Sequence, residues 1–205
     1  MYTSIWTGEV CRGYKKDTMH HSLRFYSKYR EIFLRYYIFQ AKWTRIPLIG
    51  NVVRAVAEAY GRNSHGAYLL KMEEANQLID LSRKVLRGPC SCRKVFKNCN
   101  NPVNVEIIIG MGTNVFTEER RADYKEISKQ EARDIILDCH ERHLIHTVVR
   151  CGEDFYAICN CCPCCCVPMR LKQNYRIGKA LERMDNIVEA FKRSPALQSQ
   201  DSGDC

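Results

Sequence analysis

The stretch Ile158-Cys159-Asn160-Cys161-Cys162-Pro163-Cys164-Cys165-Cys166 decides how this chain must fold, because it places six cysteines in eight consecutive positions. Neighbouring cysteines rarely reach disulfide geometry with each other, so paired disulfides do not explain this run. Thiolates are ligands of soft metal ions and of iron–sulfur clusters. The C-x-C spacing of Cys159 and Cys161 turns both side chains to one face of an extended segment. The run therefore predicts a metal centre.

A second cysteine motif lies upstream, where Cys90 and Cys92 form another C-x-C pair and Cys99 follows. Nine cysteines in two motifs exceed what one four-ligand centre needs. They predict either two centres or one centre with spare thiols, with these candidate ligands: Cys90, Cys92, Cys99, Cys159, Cys161, Cys162, Cys164, Cys165 and Cys166. Cys151 and His146 are candidates for an additional ligand, although a structural histidine is the simpler interpretation of His146.

The distribution of all the cysteines along the chain excludes one class of protein. The chain has 205 residues and 13 cysteines, and eleven of these lie between Cys90 and Cys166. This crowding argues against a disulfide-stapled secreted miniprotein, and residues 1–30 contain no signal-peptide pattern. We therefore expect a cytoplasmic protein. Cys139 fits a buried helix position, and Cys11 and Cys205 are interpreted as incidental.

The motifs alone leave the kind of centre open. Zinc sites use C-x2-4-C pairs, and Cys161-Cys162-Pro163-Cys164 contains one such pair, which allows a zinc-stabilised interaction module. Apolar neighbours such as Phe96 and Ile158 suit an iron–sulfur cluster shielded from water, although the C-x2-C-x2-C-x3-C-P run of ferredoxins is absent. A palmitoylated cysteine string at a membrane is a third interpretation, which leaves the upstream motif unexplained.

A family resemblance favours the iron–sulfur interpretation. Gly88-Pro89-Cys90-Ser91-Cys92-Arg93, the F-K-N-C-N-N-P of residues 96–102, the L-I-H-T-V-V of residues 144–149 and the cysteine run together resemble a family of ferredoxin-type iron–sulfur proteins of anaerobic microbes. The I-P-L-I-G-N-V-V-R segment from Ile46 is similar as well. The resemblance implies one or two clusters, 4Fe-4S in type, bound by the cysteines of both motifs. Some relatives have only C-N-C-x3-C in the second motif, which ranks Cys159, Cys161 and Cys165 first there.

The periodicity of the chain predicts an α+β fold. Apolar spacing predicts helices at 18–42, 48–60, 72–85, 129–142 and 171–192, and strands at 103–109, 146–150 and 155–158. Ser128 and Glu131 form a capping box at the start of the fourth helix. The loop at 61–66 divides a basic helical region, 1–66, from a cysteine-rich domain, 67–195, and a flexible tail follows at 196–205.

Charge and hydropathy restrict the partners. The net charge of +9 belongs to the ends of the chain, because residues 71–167 carry fourteen basic and fourteen acidic side chains. The basic helices are a candidate docking surface for a redox partner protein, and their aromatic residues would also suit peripheral contact with a membrane. Charged residues interrupt every apolar stretch, so no transmembrane segment is expected. No motif supports nucleic-acid binding.

The sequence contains no P-loop, dinucleotide fingerprint or nucleophile–histidine–acid pattern. It therefore favours an electron carrier or redox sensor over an enzyme with its own substrate site.

Overall fold

The described part of the chain has an α+β architecture, in which helices cover both faces of a seven-stranded, largely antiparallel sheet. The computed structural model describes the backbone of residues 8–201 and the side chains of residues 21–198. Strand order is β4-β2-β3-β6-β5-β1-β7. The strands are β1 (His65–Leu69), β2 (Val85–Gly88), β3 (Glu106–Ile108), β4 (Lys125–Ile127), β5 (Ile145–Cys151), β6 (Asp154–Cys161) and β7 (Glu182–Arg183). All pairings are antiparallel except β1 with β7.

The helices agree only in part with the positions that the sequence pattern predicts. They are α1 (Gly8–Ala41), α2 (Gly50–Asn63), α3 (Met72–Leu81), α4 (Ser91–Phe96), α5 (Gly112–Glu119), α6 (Lys129–Glu141), α7 (Val167–Tyr175), α8 (Ile187–Lys192) and α9 (Pro195–Asp201). A short 3-10 segment, Lys42–Arg45, separates α1 from α2. The expected capping box is confirmed: the Ser128 hydroxyl accepts from the Glu131 N–H, and the Glu131 carboxylate accepts from the Ser128 N–H. Within the described residues no helix has the length and apolar character needed to cross a membrane.

Both faces of the central sheet are buried, which suits the consecutive apolar residues of β3 (107–108) and β6 (155–158). Ile107 and Ile158 face a core that α3, α6 and α8 cover. Ile108 and Tyr156 face the opposite core, where Leu23 of α1 and Phe116 of α5 pack. A strand that is buried on both sides needs no polar alternation, so Ile107 and Ile108 of β3 follow one another with no polar residue between them.

A buried ion pair ties α1 to the sheet. The Arg30 guanidinium donates to both carboxylate oxygens of Glu106 in β3, and the Tyr124 hydroxyl donates to the same carboxylate at 2.8 Å. The Arg30 and Glu106 side chains are 6% and 1% exposed. Glu106 therefore has its charge compensated and its oxygens hydrogen-bonded, as a buried carboxylate requires.

The predicted long C-terminal helix, 171–192, is wrong. Helix α7 ends at Tyr175 because Arg176 adopts a left-handed conformation with φ of 56°. The chain then forms a 3-10 turn, Gly178–Ala180, and adds β7 alongside β1 before α8 begins. Likewise the helix expected at 72–85 stops at Leu81, since Ser82 is extended and Val85 opens β2.

The division of the chain at residue 66 stays a prediction, and the structure places the two predicted parts in contact. Helix α2 runs through Asn63, so the expected loop at 61–66 shortens to a single residue before β1. The segment expected as a tail at 196–205 begins inside helix α9, whose Leu197 packs in the core. Cys11 and Cys205 lie among residues 1–20 and 199–205, whose side chains the structure does not describe.

Candidate metal centre

Two loops bring the cysteine motifs together. Helix α4 begins after Cys90 and ends at Phe96, and its C-cap residue Lys97 turns the chain with a left-handed φ of 51°. Strand β6 ends at Cys161, and residues 162–166 connect it to α7. The Asn98 side chain donates to the Cys164 carbonyl at 2.8 Å, so the loop after α4 is fixed against the loop after β6. The upstream and downstream motifs therefore meet in space.

Four of the predicted ligands form a compact cluster, here named the first thiol group: Cys99, Cys162, Cys164 and Cys165. Their sulfur atoms all lie within 4.8 Å of one another. The Cys99 sulfur is 3.6 Å from that of Cys162 and 3.8 Å from that of Cys165, and the Cys164 and Cys165 sulfurs are 3.9 Å apart. All four thiols are free, so the cluster can hold a metal ion.

Two asparagines support the first thiol group. The Asn98 backbone N–H donates to the Cys165 sulfur at 3.3 Å, and the Asn101 amide donates to the Cys99 sulfur at 3.5 Å. Burial raises the pKa of the Cys99 thiol, but hydrogen bonds from Asn101, Cys162 and Cys164 outweigh it and lower the pKa to about 7. Donors to sulfur stabilise the thiolate form that binds metal. Sequence reasoning did not identify these asparagines, although their place on either side of Cys99 was a signal.

The five remaining cysteines of the two motifs form a second thiol group: Cys90, Cys92, Cys159, Cys161 and Cys166. The Cys166 thiol interacts with those of Cys92 and Cys161, and Cys161 interacts in turn with Cys159. The Cys90 thiol raises the pKa of Cys92, and the Cys159 thiol raises the pKa of Cys90. Within the described part of the chain, only the first thiol group keeps all its sulfurs inside 4.8 Å. The second group is therefore the more widely spaced of the two.

The start of helix α7 contributes hydrogen-bond donors to the second thiol group. The backbone N–H of Val167 lowers the pKa of the Cys92 thiol, and that of Met169 lowers the pKa of the Cys166 thiol. On the sheet side, the Thr147 hydroxyl lies 3.4 Å from the Cys161 sulfur. The helix N-terminus favours negative charge, which suits sulfur atoms that would be thiolates in a metal complex.

Arg93 lies between the two thiol groups. Its side chain is buried and donates to the backbone carbonyls of Pro102 and Asn160. Burial lowers the pKa of Arg93, but the neighbouring thiols of Cys90, Cys162 and Cys161 raise it by more. A permanent buried cation beside both groups would offset the negative charge of bound thiolates.

The second thiol group also touches the buried ion pair. The Cys159 thiol donates to the Glu106 carboxylate at 3.4 Å. Its pKa is raised well above the usual value by the Cys161 thiol, by burial and by the Glu106 charge. In the absence of metal, Cys159 is therefore a neutral thiol at pH 7.

Neither of the two additional candidate ligands, His146 and Cys151, belongs to the first thiol group. The His146 Nδ1 lies 2.6 Å from the Asn160 amide oxygen, its Nε2 is buried without a hydrogen-bond partner among the described residues, and burial lowers the histidine pKa. Cys151 pairs with Asp154 at the opposite end of β5 from Ile145, which pairs with Cys161. Cys159, the member of the second thiol group nearer to Cys151 on this ladder, pairs with Thr147, which lies roughly 13 Å along β5 from Cys151. Cys139 is fully buried in α6 among Cys90, Cys162 and Cys165, in the helix position expected.

Comparison with known proteins finds no match among family models, curated proteins or solved structures.

Proposed function

We propose that this chain is a metal-binding protein in which Cys99, Cys162, Cys164 and Cys165 hold one zinc ion as a tetrahedral tetrathiolate. The spacing of the sulfur atoms carries this proposal. A zinc–sulfur bond of about 2.3 Å gives a tetrahedron whose edges are about 3.8 Å. Three of the six sulfur–sulfur separations, 3.6, 3.8 and 3.9 Å, match that edge, and the other three lie within 4.8 Å.

The proposed zinc ion has a structural role. Four protein sulfurs complete the tetrahedron and leave no open position for water or substrate, which is typical of structural zinc sites. The ion would join Cys99, on the loop after α4, to the loop between β6 and α7, more than sixty residues away in sequence. The site would therefore fix both loops and the surface they form.

A second candidate function, electron transfer or redox sensing by an iron–sulfur cluster, is favoured by the second thiol group. Its five thiols are spaced more widely than a single ion requires, and backbone N–H groups of α7 lower the pKa values of two of them, Cys92 and Cys166. Cys90, Cys92, Cys159 and Cys161 also belong to the motifs that resemble iron–sulfur proteins. A cluster bound there would supply reversible one-electron chemistry, with Arg93 offsetting its charge. The redox partner would dock on the basic helices α1 and α2.

Anaerobic purification followed by zinc, iron and acid-labile sulfide determination tests both proposals. We expect one zinc per chain, which Cys164→Ala abolishes and Cys151→Ala retains. Cys151 is the matched control, because the same truncation there lies far from both groups. If the second group holds a cluster, iron and sulfide accompany the zinc, and Cys166→Ala removes them without removing zinc.

Other results would overturn these assignments. Iron and sulfide that disappear with Cys164→Ala, in a protein without zinc, would replace the zinc assignment of the first group by a cluster. Zinc without iron or sulfide would exclude the iron–sulfur function. A metal-free protein with all its thiols titratable would refute both.

A further inference from the structure

Helices α1 and α2 enclose a cleft of about 730 Å³ against the sheet and α7. Its walls are aromatic and aliphatic, and none of the lining residues is aspartate, glutamate, lysine or arginine. Phe33, Tyr37 and Trp43 line the α1 side, and Val52, Val56 and Tyr60 line the α2 side. Clefts that bind small molecules typically enclose roughly 300–1,000 Å³ and are mostly apolar. The lining therefore offers no charged side chain that could pair with an ion or a phosphorylated ligand.

The inner end of the cleft carries a short chain of polar groups. The Tyr37 and Tyr60 hydroxyls are 2.8 Å apart, and the Tyr60 hydroxyl lies 3.4 Å from the His65 Nδ1. His65 lines the cleft, and its Nε2 is buried without a hydrogen-bond partner among the described residues. A buried polar atom without a partner costs free energy, so it marks a place where a ligand group can bind.

The protonation of His65 defines what that ligand group must be. Burial, assisted by the Arg30 charge, lowers the pKa of His65 to about 4, so the ring is neutral at pH 7. A Tyr60 hydroxyl that donates to Nδ1 leaves the ring proton on Nε2. The unpartnered atom is then an N–H donor, and its complement is a hydrogen-bond acceptor on an uncharged molecule.

We propose that the α1–α2 cleft is a binding site for an uncharged apolar small molecule whose carbonyl group accepts a hydrogen bond from His65 Nε2. The cleft also reaches Val167 and Pro168, which directly follow Cys166. A bound molecule therefore lies beside the second thiol group. The site is separate from the proposed zinc centre and does not depend on it.

Two probes of the same shape test the role of His65. Fluorenone carries an aromatic ketone, and fluorene has the same three rings without it. Dissociation constants for both are measured with the purified full chain by titration calorimetry. We expect the ratio of fluorenone to fluorene affinity to fall roughly fivefold in His65→Phe, the factor that one net hydrogen bond contributes. The two probes differ in hydrophobicity, but this difference affects the affinity ratio equally in the unmodified chain and in His65→Phe. It therefore cancels when the two ratios are compared. His140→Phe, on the exposed side of α6, should leave the ratio unchanged.

A second pair of variants tests the location. Val56→Trp places a large side chain in the mouth of the cleft and should abolish binding of both probes. Ala55→Trp introduces the same side chain at the preceding residue of α2, which is exposed and does not line the cleft, and this variant should bind both probes normally. Far-UV circular dichroism verifies that both variants fold. The proposal fails if neither probe binds saturably to the unmodified chain, if Val56→Trp still binds, or if His65→Phe keeps the ratio.

Discussion

Arg30 and Glu106 show how single residues determine the position of α1 on the sheet. Removing two charges from water is costly, and the pair is tolerated because the guanidinium contacts both carboxylate oxygens and Tyr124 donates a further hydrogen bond. The penalty for removing one partner exceeds the net stability of the pair, because the other charge stays buried without compensation. The pair therefore specifies one docking geometry for α1.

Arg30→Met should lower the free energy of unfolding by about 3–5 kcal/mol, because it leaves the Glu106 carboxylate buried without its counter-charge. Urea unfolding followed by circular dichroism measures the loss. Arg24→Met is the matched control: Arg24 lies on the same helix and pairs with Glu118 and Glu119 at the surface, so its loss should matter little. Equal effects of the two substitutions would contradict the stabilising role of the buried pair. The double variant Arg30→Met/Glu106→Leu should recover much of the loss.

At the scale of elements, the end of α7 decides the C-terminal topology. Arg176 takes the left-handed conformation at the C-cap, which costs a residue with a Cβ roughly 1–2 kcal/mol. That turn sends the chain into the 3-10 segment and β7, which completes the edge of the sheet beside β1. Glycine is the residue that best tolerates this conformation.

Arg176→Gly should therefore stabilise the fold by about 0.5–1 kcal/mol, since the side chain is exposed and glycine adopts this φ without strain. Gln173→Gly makes the same replacement at an exposed position inside α7 and should destabilise by a similar amount. Denaturant midpoints measured in parallel distinguish the two. If both glycines destabilise the protein, the left-handed turn is not the constraint that ends α7.

The sequence predicted some elements well and others badly for identifiable reasons. The helix after Ser128 has a capping box and a regular apolar face, both of which are local signals, and its start was predicted correctly. Strand β7 has two residues and no alternation, and a left-handed arginine has no sequence signature, so 171–192 resembled one helix. The burial of β3 on both faces depends on α1 packing over it, which no local pattern contains.

At the scale of the whole molecule, the cysteines were predicted as ligands but not divided between groups. The division depends on where β6 ends and on the turn at Lys97, which carries Cys99 to the loop of residues 162–166. Cys161 and Cys162 are neighbours in sequence, yet they enter different thiol groups because the strand ends between them. Spacing along the chain therefore cannot assign them, and the tertiary arrangement can.

Removal of the proposed zinc should loosen the two loops that the first thiol group joins while leaving the sheet folded. A ligand at a thousand times its dissociation constant contributes about 4 kcal/mol of stability, so a strong chelator should lower the unfolding temperature clearly. Hydrogen exchange localises the effect. Amides of residues 97–104 and 162–166, including Asn98, whose N–H is bonded to the Cys165 sulfur, should exchange faster. Amides in β5 and β6 should stay protected, because the hydrophobic cores hold those strands.

The variants separate zinc removal from other effects of the chelator. Cys164→Ala lacks one ligand of the first group, so it should already unfold at the lower temperature and should not respond to chelation. Cys151→Ala keeps the whole group and should respond as the unmodified chain does. Loss of protection throughout β5 and β6 on chelation would show that the sheet itself depends on the metal. In that case zinc binding and global folding would be one event, as in small zinc-dependent domains.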